Sequence, residues 1–236
     1  MDNSRSLVSK SLLKSTRDVF TDVSEMGLDE LIGNLTKDSD FINQLPIIKW
    51  LFVGNDYRSS IQSAFFIKKY ACFIGQIASD LTVDFDDSKL LAVFSDEKIK
   101  EKLIDNTVLY LDKYHNELKA RLLGELFVQT FRHQRFAISE YNSLMYSIEL
   151  IHPFEGVASL KQFYDYHIEM KNEQDDKKKR DIWDKRSKTG YQLLATTGLL
   201  NLPQGGTFMG NLGGASLNEL GKRFYEFVVV NCDEYA

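Results

Sequence analysis

Apolar residues recur at three- and four-residue spacings through most of the first 170 residues, which is the period of an amphipathic α-helix. The pattern predicts helices over residues 58–78, 95–111, 118–131 and 139–151. Short connections between the last three predict antiparallel neighbours in a helical bundle. In the last helix, one face carries the apolar residues until Pro153 ends the pattern: Tyr141, Leu144, Met145, Ile148 and Ile151.

Polar residues at the ends and on the outer sides of these helices give further predictions. Ser95-Asp96 and Ser139 precede apolar runs and are predicted to cap the helices that follow. Lys68 and Lys69 fall opposite the apolar face of the helix over residues 58–78. This places both lysines on the solvent side.

The chain before and between these helices is less regular. Residues 4–26 are predicted to form a surface helix, and residues 41–54 a short buried one. Asp84, Asp86 and Asp87 form an acidic cluster, but the spacing of a calcium-binding loop is absent, so we interpret it as a solvated turn.

A charged stretch follows a helix predicted over residues 157–168. It carries eight basic and five acidic residues between Lys171 and Lys188, which is typical of an exposed helix or a linker. The alternative interpretation is a basic patch that contacts phosphates. Its candidate residues are Lys177, Lys178, Lys179, Arg180, Lys185, Arg186 and Lys188.

The C-terminal region has the most readable order of elements. An apolar helical run is predicted to end at Gly198-Leu199-Leu200, and a Gly-rich connector follows. Thr207-Phe208-Met209 lies between two Gly-Gly pairs, which favours a hairpin. Ser216-x-x-Glu219 matches a capping box that opens a final helix. The apolar stripe of that helix is Leu217, Leu220, Phe224, Phe227 and Val228.

The order GLL, Gly-rich hairpin, SLNELGKRF resembles the closing third of bacterial winged-helix domains. The resemblance covers about 45 residues and implies a two-stranded wing followed by a last helix. The wing, Gln204 to Ala215, contains no Lys or Arg, whereas DNA-binding wings usually carry some. Only Lys222 and Arg223 are basic in residues 191–236, so a wing used for protein contact fits this charge at least as well.

The helical body, in the run LGELFVQTF…ISEYNSLMYSIELI, is similar to bacterial and prophage-borne proteins found among phage-defence genes. This resemblance implies a bacterial or phage origin and a role in defence.

Composition narrows the class of protein. The 236 residues are 43% hydrophobic and include only three prolines, and eight of the fourteen glycines lie at or beyond Gly190, which favours helix over an all-β fold. A net charge of −5 argues against a general nucleic-acid coat. Cys72 and Cys232 form no CxxC motif, and no apolar run reaches spanning length. The first residues lack the apolar segment of a signal peptide, so we expect a cytoplasmic protein without a transmembrane segment.

Candidate catalytic residues are few. Glu149-x-x-His152 matches half of a carboxylate-bridged di-iron motif, and Asp112-x-x-His115 imitates the other half, but the remaining glutamates are missing. No nucleophile elbow or phosphate-binding loop is present in the sequence. His133 lies in a local Arg132–Arg135 cluster that is interpreted as the polar end of a helix. We therefore expect no metal, no cofactor and no catalytic residue.

Together these patterns predict a mainly α protein with three parts: a helical bundle body at 1–170, a charged helix or linker at 171–190, and a winged-helix-like module with a β-hairpin at 191–236. The leading functional hypothesis is a non-enzymatic interaction protein in phage defence that contacts a protein partner or its own copy. The alternative is a nucleic-acid-binding regulator that uses the 177–188 basic residues with Lys222 and Arg223. The second alternative is a hydrolase or nuclease using Glu149, His152 and His133.

Overall fold

The computed structural model describes residues 60–79, 106–203 and 214–232 of the chain. In these residues the protein is mainly α-helical with one small antiparallel sheet, which confirms the mainly α prediction at this level. The chain divides into two compact units, Met1–Ser88 with Glu101–Gly124 and Lys89–Lys100 with Glu125–Ala236. The boundaries predicted near residues 170 and 190 stay a prediction, because compactness alone does not define a functional module.

Several predicted features lie outside the described residues. They are the helices over 4–26 and 41–54, the Asp84–Asp87 turn, the Ser95-Asp96 cap and the Thr207–Met209 hairpin tip. Among the helices that are described, none combines the length and the apolar character needed to cross a membrane.

The first unit contains three described helical segments. Helix α1 is Ser60–Ser79, α2 covers residues 106–113, and α3, Glu117–Phe131, begins in this unit. The predicted break between α2 and α3 is therefore present. The start of α3 is fixed by Asn116. Its side-chain oxygen accepts a hydrogen bond from the Leu118 amide at 2.7 Å and so caps the helix.

Lys69 of α1 holds the end of α2. Its ammonium group donates to the carbonyl oxygens of Asp112 at 2.9 Å and Tyr114 at 2.7 Å. The last carbonyls of a helix have no partner inside the helix, so a cation there is stabilised by hydrogen bonds and by the helix dipole. Lys69 is only 8% exposed, and the prediction that placed it on the solvent side of α1 is wrong.

Gly124 allows α3 to approach α1 closely. A Cβ atom at this position would lie 2.6 Å from the Phe73 carbonyl oxygen and 2.8 Å from Cβ of Gln76. Real Cβ atoms do not come this close, so any larger residue would push the two helices apart. The glycine is thus a packing residue in the middle of a helix.

The second unit contains the end of α3 and three further long helices. These are α4, Ile138–Leu150, α5, Glu155–Asn172, and α6, Asp176–Lys188. The predicted apolar face of α4 is buried, and α4 ends before Pro153 as expected. The aromatic ring of Tyr141 meets that of Phe131 edge-on at 5.1 Å, which joins α4 to the end of α3.

The start of α4 differs from the prediction. Ala137 is the N-cap residue, and the Glu140 carboxylate accepts a hydrogen bond from its amide at 2.8 Å. Ser139 lies inside the helix, where its carbonyl oxygen accepts from the Ser143 hydroxyl. The predicted Ser139 cap is therefore wrong, because the helix starts two residues earlier, where the Glu140 carboxylate accepts the hydrogen bond from the Ala137 amide.

The segment before the sheet is not the helical run that the sequence predicts. Only Gln192–Leu194 is helical, as a single 3-10 turn, and turns follow up to Gly198, whose φ of 73° is in the left-handed region. The buried Ser147 hydroxyl of α4 donates to the Thr197 carbonyl oxygen at 2.6 Å and holds this segment in place. The predicted helix is replaced by a turn that α4 fixes.

The sheet has two short strands, β1, Leu200–Asn201, and β2, Ser216–Leu217, with Leu200 paired to Leu217. Asn218 then caps α7, Glu219–Phe224, because its side-chain oxygen accepts from the Gly221 amide at 2.7 Å. A π-helical turn, Tyr225–Val229, continues α7. Ser216 belongs to the strand, so the predicted Ser216 capping box is wrong, whereas the antiparallel pairing agrees with the predicted hairpin.

Gly221 lets α7 lie directly on the chain that precedes β1. A Cβ atom here would be 2.2 Å from the Leu199 carbonyl oxygen and 3.0 Å from Cδ2 of Leu217. The same Leu199 oxygen accepts from the Asn218 amide at 3.1 Å. The helix start, the sheet and the preceding turn therefore meet at one point, which tolerates only a glycine.

Candidate functional site

The charged stretch forms a regular helix, α6, whose ends are fixed by hydrogen bonds and charge. Asp175 is its N-cap and accepts from the Lys177 amide at 2.8 Å. Its last turn is basic, with Lys185, Arg186 and Lys188, and cations there interact favourably with the helix dipole. Of the two predicted alternatives, helix or linker, residues 176–188 are a helix.

The second unit holds α6 along one side. The helix packs against α5, and Ile182 is its buried residue. At its C-terminal end, Gly214 approaches so closely that a Cβ atom there would lie 2.5 Å from Cα of Ser187. These contacts fix the orientation of α6 on the unit and leave most of its charged side chains exposed.

The charged side chains of α6 fall on two sides, since successive residues are about 100° apart around a helix. One side carries Asp181 and Asp184 among four lysines, whereas the third acidic residue, Asp176, lies in the first turn on the opposite side. Lys188 pairs with Asp184 at 2.9 Å, and Lys178 lies 3.9 Å from Glu173. The positive charge of this side, which we call the mixed side, is therefore partly neutralised by carboxylates. Its lysines are Lys177, Lys178, Lys185 and Lys188.

The other side is centred on Trp183, which is 40% exposed. Lys179 and Arg180 lie one turn before it, and Arg186 and Ser187 one turn after it. Residues three and four apart are neighbours on a helix surface. We call these five residues the Trp183 face. Neither Lys179 nor Arg180 forms an ion pair within the described parts of the chain.

Arg186 has a different environment from the other cations of α6. It is half-buried, and its Nε atom is shielded from solvent and has no hydrogen-bond partner. Burial lowers the pKa of its guanidinium group below the usual value. An arginine stays protonated at neutral pH even so, since guanidinium is the most basic of the ionisable side-chain groups. The result is a positive charge held at the base of the Trp183 face.

Lys222 and Arg223 lie on α7 and are engaged within the protein. Arg223 donates from Nη1 to Oε1 of Glu140 at 2.8 Å and from Nη2 to Oε2 at 3.1 Å, in a two-bond pair. It also donates to the Arg135 carbonyl oxygen, and its guanidinium lies 4.8 Å from the centre of the Phe136 ring. Lys222 pairs with Glu219 at 3.2 Å. Arg223 joins α7 to the start of α4.

A polar cluster joins α5 to the π-helical turn. The Tyr164 hydroxyl donates to Glu226 at 2.9 Å, and its ring lies 4.5 Å from that of Tyr225. Burial and this hydrogen bond raise the pKa of Tyr164 to about 12. Burial also lowers the pKa of His167 in the same helix. Tyr164 remains a hydrogen-bond donor over the physiological range, and its role is to hold the two segments together.

The candidate catalytic residues do not converge. His133 follows the end of α3, and His152 follows the end of α4. Helix α4 lies between them in the chain, and its 13 residues extend about 20 Å. The imidazole of His152 accepts from the Glu155 amide at 3.2 Å. Among the described residues, no group of three or more His, Cys, Asp or Glu side chains could hold a metal ion.

The chain matches no protein-family model, no curated protein and no solved structure. The candidate site is therefore argued only from the contacts and charges of its own residues. The sequence pattern predicts the basic residues of α6 as a candidate site but does not single out Trp183. The signal was present, because Lys179, Arg180 and Arg186 stand three or four positions from the tryptophan. That spacing has meaning only once the segment is known to be a helix.

Proposed function

We propose that this protein binds nucleic acid through helix α6. The observation that supports the proposal most directly is the Trp183 face, where neither Lys179 nor Arg180 forms an ion pair in the described residues and both stand near an exposed tryptophan. Phosphate groups are the ligands for which unpaired lysine and arginine side chains are best suited.

The charge of α6 supports this proposal despite the net charge of −5 of the whole chain. The helix carries seven basic and three acidic residues, and two of its lysines lie close to carboxylates. An acidic protein is repelled by the nucleic-acid backbone except where a basic segment such as α6 approaches it. Such a distribution favours a defined contact over a general coat.

A winged-helix-like organisation of residues 191–236 belongs to the same proposal. Its support is the antiparallel pairing of β1 with β2, followed at once by the capped helix α7. In this arrangement Gly214, two residues before β2, packs on the end of α6 and so orients it. Lys222 and Arg223 are left out of the proposed surface, since each pairs with a glutamate of the protein.

The test is a fluorescence anisotropy titration of the full chain against labelled single-stranded DNA, duplex DNA and RNA at low salt. The wild-type protein should bind at least one of them, and Lys179→Glu with Arg180→Glu should abolish binding. The matched control is Lys113→Glu with Lys161→Glu, which makes the same change in net charge on other helices. Absence of binding by the wild type, or equal loss in both variants, contradicts the proposal.

A second candidate function is contact with a protein partner or a second copy of the chain. It is favoured by Ile138 and Tyr146, which are 41% and 51% exposed and lie on the same side of α4. The other large exposed apolar residues of the second unit lie outside α4, and single exposed apolar residues are normal on any surface. The predicted role in phage defence is compatible with either function and stays a prediction.

This second candidate is tested by sedimentation velocity over a wide range of protein concentration. Self-association through α4 predicts a concentration-dependent increase in mass that Tyr146→Glu removes. A monomer at every concentration excludes a second copy as the partner.

A further inference from the structure

Trp183 is an exposed aromatic side chain that the fold leaves unused. It is 40% exposed, and within the described residues it makes no ring–ring contact and no contact with a cation. The other aromatic rings of the second unit that lie near arginines are paired with them, as Phe136 is with Arg223 and Phe227 with Arg135. The ring of Trp183 is therefore available to a ligand.

The charged residues one turn before and one turn after this ring are basic. Lys179 and Arg180 precede it by one turn, and Arg186 follows it by one turn. Asp181 and Asp184 lie at least about 100° away from Trp183 around the helix, on the mixed side, and Asp176 lies two turns before the ring. A ligand that covered the ring would meet positive charge on both sides along the helix axis.

We infer that Trp183 is a stacking platform for an unpaired base, and that the class of nucleic acid bound by α6 is single-stranded. This inference rests on the proposed function. An aromatic side chain stacks on the exposed face of a base in a single strand, whereas in a duplex both faces of each base are already covered. Lys179 and Arg180 contact the phosphates that flank the stacked base.

The chemistry explains why one helix carries both groups. Stacking on an aromatic side chain tolerates any base sequence, since every base has a flat π-face. Phosphate contacts are equally insensitive to sequence. The site should therefore prefer single strands without a strong preference for sequence.

The test compares Trp183→Ala and Trp183→Phe with the wild-type chain, using an oligothymidine, an oligoadenosine and a duplex as probes. Trp183→Ala should weaken binding of both single strands by about tenfold, which is the scale of one stacked base, and Trp183→Phe should retain most of the affinity. Intrinsic fluorescence should be quenched by the single strands in the wild type and not in Trp183→Phe. Phe65→Ala, at an exposed phenylalanine of α1, is the matched control and should change nothing.

The outcomes separate this inference from the proposed function. If Trp183→Ala and Trp183→Phe both bind single strands as the wild type does, while Lys179→Glu with Arg180→Glu does not bind, the stacking role is refuted and the proposed function stands. Tighter binding of the duplex than of the single strands also refutes it. If the wild type binds no nucleic acid, both fail. Thermal melting of each variant shows whether it is folded.

Discussion

Replacement of Gly221 by alanine should destabilise the second unit, although alanine is the better helix former. The added Cβ atom would lie 2.2 Å from the Leu199 carbonyl oxygen. An ordinary contact requires a movement of about 1 Å, and α7 cannot move without loosening the bonds from Asn218 to Leu199 at 3.1 Å and to Gly198 at 2.8 Å. The substitution is therefore unfavourable at a position where helix propensity alone predicts a gain.

The magnitude follows from three contributions. Forcing an extra carbon into a packed site costs about 1–3 kcal/mol. Weakening the two hydrogen bonds of Asn218 costs about 1 kcal/mol each, and the change from glycine to alanine in a helix returns about 1 kcal/mol. The net expectation is a loss of about 2–4 kcal/mol in the free energy of unfolding. For a chain of this size the melting temperature should fall by about 5–15 °C.

The assay is thermal and urea unfolding followed by far-ultraviolet circular dichroism, with Gly75→Ala as the control. Gly75 also lies inside a helix, and a Cβ atom there meets nothing within 4 Å. Alanine at this position should raise the melting temperature by about 2–4 °C. If Gly221→Ala melts at or above the wild-type temperature, the close approach of α7 to Leu199 is refuted.

Three further predictions concern caps and charges. Asn218→Ala should lower the free energy of unfolding, measured in urea, by about 1 kcal/mol, and Ser216→Ala should lower it by less than about 0.5 kcal/mol. If Ser216 were the cap, the Ser216 variant would be the less stable of the two. The hydrogen bond from Arg223 lowers the pKa of Glu140, so its stabilisation is present at neutral pH and is lost as pH falls through that lowered value. The melting temperatures of the wild type and Glu140→Gln should therefore differ at pH 7 and converge below about pH 4, and a constant difference would contradict this origin. Lys69→Met should lower stability by about 1–3 kcal/mol, because it leaves the α2 carbonyls without a donor, and an unchanged urea midpoint would refute the cap.

The helices of the second unit could be predicted because burial follows the helical period. The face of α4 that contains Tyr141 and Leu144 is repeated every three to four residues, and the structure buries it completely. Pro153 stops α4 from continuing because proline has no backbone N–H to donate and clashes with the preceding turn, which depends only on the local sequence. Such features depend only on neighbouring residues, so the sequence reports them directly.

The capping residues could not be identified from the neighbouring sequence alone. Ser216 and Asn218 both have side chains that can cap α7, and the choice is made by the pairing of Leu217 with Leu200, which draws Ser216 into a strand. Lys69 likewise has a polar position in the helical pattern of α1, but its partners Asp112 and Tyr114 are more than forty residues away.

The candidate site shows the same limit. The sequence shows the basic residues of α6 as a charged run. It does not distinguish them from Arg223, which the structure shows to be paired with Glu140. Trp183 could not be predicted as a site residue from the sequence. A single tryptophan in a charged run indicates a site only when its neighbours on the helix surface are known.

The most direct test of nucleic-acid binding by α6 is the salt dependence of the affinity for a single strand. The logarithm of the binding constant should fall linearly with the logarithm of salt concentration, by about 0.7 for each phosphate contact. Lys179→Ala with Arg180→Ala should then reduce the slope by about 1.4, while Lys113→Ala with Lys161→Ala leaves it unchanged. A slope that is the same in all three proteins would mean that α6 does not contact the phosphates, and the central claim would be wrong.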